Sequence, residues 1–260
     1  MQIFLYTIIF IMGCFFGSFC TLAVYRIPKK EDILIKHSYC PNCNHKLGFL
    51  DLFPLFSYIL LRGKCRYCKT KIRPRYFIIE LCSGIAFLLL TISLKVNIDN
   101  LNIISLLFNF IYVSILVIIA GIDKEKKSID RNVLKTGFII EIAYMIYECT
   151  LKNVDVYKYV IYSIALIILL VISAISLKVK MKERYFIQVL FLSLYMIIFG
   201  GAYIYILTVI LTLISLAFHK LTIKKKEELP IGFFICVSNI LTILITNFIC
   251  NYLMWYKRGY

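Results

Sequence analysis

Residues Ile3–Tyr25 read IFLYTIIFIMGCFFGSFCTLAVY and are followed at once by Arg26-Ile27-Pro28-Lys29-Lys30. A helix needs about 17–25 largely apolar residues to cross a hydrocarbon core, and this run has that length without a single charge. No Lys or Arg precedes it, it exceeds a signal-peptide core, and it lacks a small-residue cleavage site, so it reads as a retained helix. The pattern recurs at Tyr76–Leu94, Leu101–Ile122, Val133–Thr150, Tyr157–Leu177 and Ile231–Met254. Tyr185–Phe218 is too long for one ordinary crossing. Gly200-Gly201 lies mid-way along it and supplies a turn, so two short helices are expected there. The expected fold is all-α and polytopic, with about eight transmembrane helices.

Composition agrees. The chain is 61% hydrophobic with a mean hydropathy of +0.86, whereas soluble domains hold about 45–50% apolar residues. The net charge is +16, which in a soluble protein would suggest nucleic acid. Here the cations lie in loops between apolar runs, where topology and anionic lipid headgroups account for them. Nucleic acid is therefore not expected as a partner, and membrane lipid is. The same placement argues against a transporter, whose charged sites usually lie mid-membrane.

Loop charge sets the orientation. The 26–75 loop carries twelve Lys/Arg against Glu31, Asp32 and Asp51, and loops 123–132, 178–184 and 219–229 are also basic. The alternating connections hold Lys95, Lys152 and the glycine turn. Positive loops stay inside, so both termini are expected outside, despite Lys257 and Arg258. The expected layout is a first transmembrane helix (1–25), a cytoplasmic knob (26–75) and a transmembrane bundle (76–260).

Within the knob, Cys40-Pro41-Asn42-Cys43 and Cys65-Arg66-Tyr67-Cys68 form two C-x2-C knuckles with 21 residues between them. Each offers two thiolates to one tetrahedral ion, and together they complete a four-thiolate site with no open position, hence structural. A basic, cytosolic loop is reducing, which disfavours disulfides. Lys64, Arg66 and Lys69 favour the thiolate forms. Zinc is the expected metal, with an iron–sulfur cluster or free thiols as the alternatives. His37 and His45 flank the first knuckle and are expected on the surface. Cys14, Cys20, Cys82, Cys149, Cys236 and Cys250 lie in apolar segments and read as small hydrophobes. Gly13 and Gly17 form a G-x-x-x-G, a helix-packing device.

Gly17-Ser18-Phe19-Cys20-Thr21-Leu22-Ala23-Val24-Tyr25-Arg26-Ile27-Pro28 resembles the opening helix of the bacterial type IV prepilin leader peptidases, GSFLNVVIYRLP, with Thr21 where the family has Asn. Asp51–Tyr58 is similar to DNIPLLSW, Leu61–Cys68 to LRGRCRxC, Ile72–Glu80 to IxxRYPxxE and Leu229–Phe234 to IPFGPFLA. The resemblance implies a bacterial inner-membrane protein that cuts the basic leader from type IV prepilins or pseudopilins at the cytoplasmic face, after a Gly. It also implies methylation of the new N-terminus from S-adenosylmethionine in many members. Gly17, Ser18 and Arg26 become candidates for a functional surface.

The family cleaves with two aspartates, one in D-x5-I-P-D and one in G-x-G-D-x-K. Asp123, in Gly121-Ile122-Asp123-Lys124, matches the first. Ser128-Ile129-Asp130 stands where I-P-D is expected, one residue early and without proline. The second falls on Glu183, in Lys180-Met181-Lys182-Glu183-Arg184-Tyr185, without the glycines and with Tyr185 for the lysine. Two carboxyls sharing a proton can activate water, so Asp123 and Glu183 are the expected catalytic pair. The departures leave two alternatives, a relative that binds prepilins without cutting them and a methyltransferase alone.

Overall fold

The structure is a computed structural model. It describes residues 2–33, 35–94, 103–151, 157, 160–161, 164, 167–168, 181–222 and 229–258, with only the backbone described at 151, 181–184 and 250–258. The helices are α1 (Gln2–Arg26), α2 (Phe49–Leu52), α3 (Phe56–Leu60), α4 (Arg75–Ser93), α5 (Ile103–Lys126), α6 (Arg131–Leu151), α7 (Met181–Gly200), α8 (Ala202–Thr222) and α9 (Ile231–Arg258). Among the described residues there is no strand, only the isolated bridges Tyr39–Lys46 and Lys64–Lys71. The all-helical expectation is met.

Among the described residues five segments are long and apolar enough to cross a membrane: Gln2–Lys29, Arg75–Ser93, Ile103–Lys126, Ala202–Thr222 and Ile231–Ile249. Tyr185–Gly200 is a shorter apolar helix. The expected break in the 34-residue run falls where the glycines are. Gly201 takes φ +83, a left-handed backbone that only glycine adopts freely, and helix resumes at Ala202. α6 forms as expected but carries Lys135, Glu141 and Glu148, which lower its hydropathy. The expected span Tyr157–Leu177 lies largely outside the described residues, as do Lys95 and Lys152.

The chain divides into two units, Met1–Ile118 and Ile119–Tyr260. In the first, α1 and α4 pack antiparallel through the G-x-x-x-G face. A Cβ on Gly13 would stand 2.8 Å from Gly84 Cα, and one on Gly17 would stand 2.8 Å from Glu80 Cα. Only glycine permits so close a backbone approach. Phe16, Phe87 and Phe110 continue this core as a ring ladder, with centroid separations of 5.4 and 4.0 Å. The Cys20 thiol lies 3.6 Å from the Ser114 carbonyl oxygen, so this cysteine behaves as a buried small side chain.

In the second unit, Phe138 of α6 meets Phe191 and Tyr195 of α7 edge to face. The Asn239 side-chain amide of α9 donates to Thr208 Oγ1 of α8 at 3.1 Å. Apolar helices gain little from hydrophobicity inside lipid, so such ring contacts and polar links hold them together.

Candidate metal knob and candidate active site

The knob is built from two copies of one turn. In the first knuckle the Asn44 N–H donates to the Cys40 carbonyl at 2.8 Å and the Cys40 N–H to His45 at 3.0 Å. In the second, Lys69 N–H donates to Cys65 at 3.0 Å and Cys65 N–H to Thr70 at 2.9 Å. Asn44 and Lys69 both adopt positive φ, 55 and 60. Each turn thereby points two sulfurs the same way.

The four Sγ atoms of Cys40, Cys43, Cys65 and Cys68 lie within 4.8 Å of one another, and Cys40 and Cys68 are 3.8 Å apart. A tetrahedral ion with Zn–S near 2.3 Å places its sulfurs about 3.8 Å apart. The cluster therefore fits a four-thiolate metal ion. Without a metal, hydrogen bonds from the Thr70 side chain and backbone, with help from Asn42, hold the Cys68 thiol down to about 5. Cys43 is pushed up to about 11: the His45 backbone opposes this, but burial and the neighbouring Cys40 and Cys68 outweigh it. His37 and His45 are exposed, and the His45 ring lies 3.6 Å from that of Tyr67, bridging the two knuckles.

Two buried groups fasten the knob to its helices. Arg26, 1% exposed, donates to the carbonyls of Asp32 (2.9 Å), Lys36 (2.7 Å) and His37 (2.9 Å). A guanidinium can satisfy several carbonyls at once because its donors fan out in a rigid plane. Glu80 of α4 accepts the Leu55 N–H at 2.9 Å and a hydrogen bond from Ser18. Leu55 has φ 62, so Glu80 holds a strained turn in place. Gly17, Ser18 and Arg26 thus each have a structural partner here.

In the second unit Asp123 sits in the last turn of α5, fully buried. Its Oδ2 accepts from the Tyr185 hydroxyl at 3.0 Å and from the Phe233 N–H at 2.9 Å. The same hydroxyl accepts the Gly232 N–H at 3.1 Å. Gly232 and Phe233 are among the first residues of α9, whose N–H groups have no partner inside their own helix. Pro230 cannot cap them with its side chain, so Asp123 and Tyr185 do so from other helices. The partial positive charge of a helix N-terminus favours a carboxylate there. A Cβ on Gly232 would stand 3.1 Å from Asp123 Oδ2, so glycine permits the approach. Asp123 Oδ1 is buried and has no hydrogen-bond partner among the described residues.

Asp130 has a different task. Its Oδ1 accepts the N–H groups of Asn132 (2.8 Å) and Val133 (3.2 Å), capping α6. Glu183 is described by its backbone alone, in the first turn of α7, two residues before Tyr185. Sequence reading assigned no role to Tyr185, Gly232, Phe233 or Glu80. The signal for the middle two was the Leu229–Phe234 motif, which the fold brings onto Asp123.

The fold and the cysteine cluster define a multi-pass helical membrane protein with a knob whose four cysteines could hold a metal ion. Residues 11–94 match the bacterial peptidase A24 N-terminal domain. The "Prepilin leader peptidase/N-methyltransferase" of Vibrio cholerae is 42% identical over 87 residues, 30% of this chain and 34% of that protein. The protein of the same name from Klebsiella pneumoniae is 30% identical over 123 residues, 45% of this chain and 51% of that one. That from Myxococcus xanthus is 37% identical over 79 residues, 30% of this chain and 24% of its own length. Over its N-terminal third the chain is thus similar to the N-terminal domain of bacterial A24 peptidases and to proteins of that prepilin-peptidase name. The matches span about a quarter to a half of these relatives. No solved structure matches.

Proposed function

We propose that this protein is a membrane-embedded aspartic-type endopeptidase that removes the leader of type IV prepilins or pseudopilins at the cytoplasmic face of the bacterial inner membrane, with both termini outside. The observation that carries the reading is Asp123, buried at a helix end with one oxygen fixed by Tyr185 and Phe233 and the other unpartnered among the described residues. A buried carboxylate oxygen left without a partner is costly, and a water or a substrate group at that point relieves the cost.

In this reading Asp123 and Glu183 share one proton. The ionised carboxylate takes a proton from water, the water oxygen bonds to the scissile carbonyl carbon, and the protonated partner donates to the carbonyl oxygen. Collapse of the tetrahedral species breaks the C–N bond and returns a proton to the leaving amine. Support for Glu183 comes from chain position, since Tyr185, two residues later on α7, touches Asp123. A substrate whose hydrophobic helix stays in lipid needs to present only its charged leader at this boundary.

Cys40, Cys43, Cys65 and Cys68 would hold a structural zinc ion, which supplies cross-linking and no open coordination position. N-methylation from S-adenosylmethionine would follow cleavage. One observation favours a second reading, methyl transfer or prepilin binding without cleavage: Glu183 lacks flanking glycines and Tyr185 stands where the motif has lysine. The test is incubation of the purified protein with a prepilin in lipid, followed by mass spectrometry of the pilin N-terminus. A trimmed product supports the peptidase. A methylated N-terminus appearing only on pre-cut pilin supports the second reading.

A further inference from the structure

In the knob, Phe49, Leu50, Phe56, Ile59 and Leu60 are 74%, 71%, 62%, 61% and 78% exposed. They belong to α2 and α3, nine residues of which none is buried. Such a patch on a water-facing loop would be a liability, and it ordinarily marks an interaction surface.

The depth of this segment identifies the partner. The Phe53 ring lies 5.5 Å from the ring of Phe15 on α1. Phe15 precedes Arg26 by three helical turns, about 16 Å along the axis, well inside the apolar span. Phe49 and Phe56 each pack edge-on against Phe53, at 6.3 and 5.5 Å. On the other side Tyr58 meets Phe77 of α4 at 5.2 Å. The segment therefore lies back along the α1–α4 pair, level with helix surface that is itself apolar and exposed, such as Phe19 and Ile78.

Its backbone suits that depth. Irregular chain survives in hydrocarbon only where its polar groups are satisfied. The N–H groups of Phe56, Ser57, Ile59 and Leu61 donate to Pro54, Phe53, Leu55 and Ser57, and the Leu55 N–H goes to Glu80. The chain on either side is cationic. Residues 45–75 hold eight Lys/Arg and one acid, Asp51, which is ion-paired with Arg66. Lys46, Arg62, Lys64, Lys69, Lys71 and Arg73 are all exposed. An apolar face with a basic rim is the pattern of a segment that lies in the interface of an anionic bilayer.

We propose that residues 49–60 are seated in the bilayer leaflet on the knob side, with their apolar side chains among the acyl chains and the flanking cations at anionic headgroups. The knob is then a membrane-seated element. This inference does not depend on cleavage activity.

The test uses the full chain with its single tryptophan removed (Trp255→Phe), carrying either Phe56→Trp or Leu60→Trp, reconstituted in phosphatidylcholine–phosphatidylglycerol vesicles. Phe19→Trp on α1 serves as the lipid-facing reference, and retained metal content verifies the knob. A segment seated among the acyl chains level with Phe15 predicts that acyl-chain-brominated lipid lowers the emission about two-fold while aqueous iodide leaves it nearly unchanged. The quenching should deepen as the phosphatidylglycerol fraction rises. Strong iodide quenching with no effect of brominated lipid would overturn the proposal in favour of a water-facing surface for a soluble partner. Protection from both quenchers would overturn it in favour of a protein cover. Lipid quenching that ignores phosphatidylglycerol would overturn the anionic-headgroup part.

Discussion

The Tyr185 hydroxyl donates to Asp123 Oδ2 at 3.0 Å while accepting the Gly232 N–H at 3.1 Å. One phenol thereby joins the ends of α5, α7 and α9 and fixes which oxygen of Asp123 is occupied. Among the described residues Oδ1 has no partner, and in the proposed mechanism it is the oxygen that meets water.

Tyr185→Phe removes this donor and leaves Gly232 N–H and one acceptor site of Oδ2 unsatisfied. The loss of a hydrogen bond to a charged group is worth about 1.5–3 kcal/mol. Leader cleavage should fall roughly 10- to 100-fold with helix content unchanged, as measured by initial rates on a prepilin substrate and circular dichroism.

Gly232→Ala tests the close approach at the α9 N-terminus. Its Cβ would lie 3.1 Å from Asp123 Oδ2, 3.2 Å from Asp123 Cγ and 3.2 Å from Ile129 Cδ1. All three are tighter than ordinary contacts, so the Asp123 carboxylate or Ile129 must shift by a few tenths of an ångström, and overpacking of this kind costs about 1–3 kcal/mol. Thermal unfolding in detergent should shift down, and cleavage should fall more than stability alone accounts for, because the displaced group is the carboxylate.

Metal removal acts on the other unit. Elemental analysis of the purified protein should give about one zinc per chain, and Cys65→Ser should lose most of it. Because the two knuckles are otherwise joined only by side-chain contacts such as Asn42–Thr70 and His45–Tyr67, chelation should expose residues 40–46 and 63–71 to protease while the apolar helices and the 49–60 segment stay protected.

The knob and the α7–α8 break were legible because their determinants are local. Two C-x2-C turns need only six residues each to aim their sulfurs, and Gly200-Gly201 ends a helix wherever it stands. The Asp123 site was half legible. Motif position picked out Asp123 and quoted Leu229–Phe234, yet the contacts that define the site run over 62 residues to Tyr185 and 110 to Phe233. No periodicity encodes such pairings. Arg26 was read as functional surface, and its burial under three backbone carbonyls became apparent only once residues 32–37 had folded over it. The same holds for Glu80, whose partner Leu55 lies 25 residues away.

Glu31 gives a pH-dependent contact at the edge of the knob. Its carboxylate accepts from Lys36 Nζ at 3.0 Å and from the Tyr39 hydroxyl at 2.9 Å, and these partners, Lys36 first, hold its pKa below the ordinary glutamate value. A depressed carboxylate stabilises the fold above its unfolded pKa and loses that contribution as pH falls through the folded one. The Glu31 carboxyl resonance should therefore titrate below the ordinary glutamate value, and Lys36→Ala should move its midpoint back up.

The most direct test of the central claim is co-expression with a prepilin, scored by mass spectrometry of the pilin N-terminus for the wild-type chain, Asp123→Asn and Glu183→Gln. The account predicts a trimmed pilin with the wild type and an intact leader with either variant, each variant still being membrane-inserted and zinc-loaded. Trimming that persists in Asp123→Asn would contradict it.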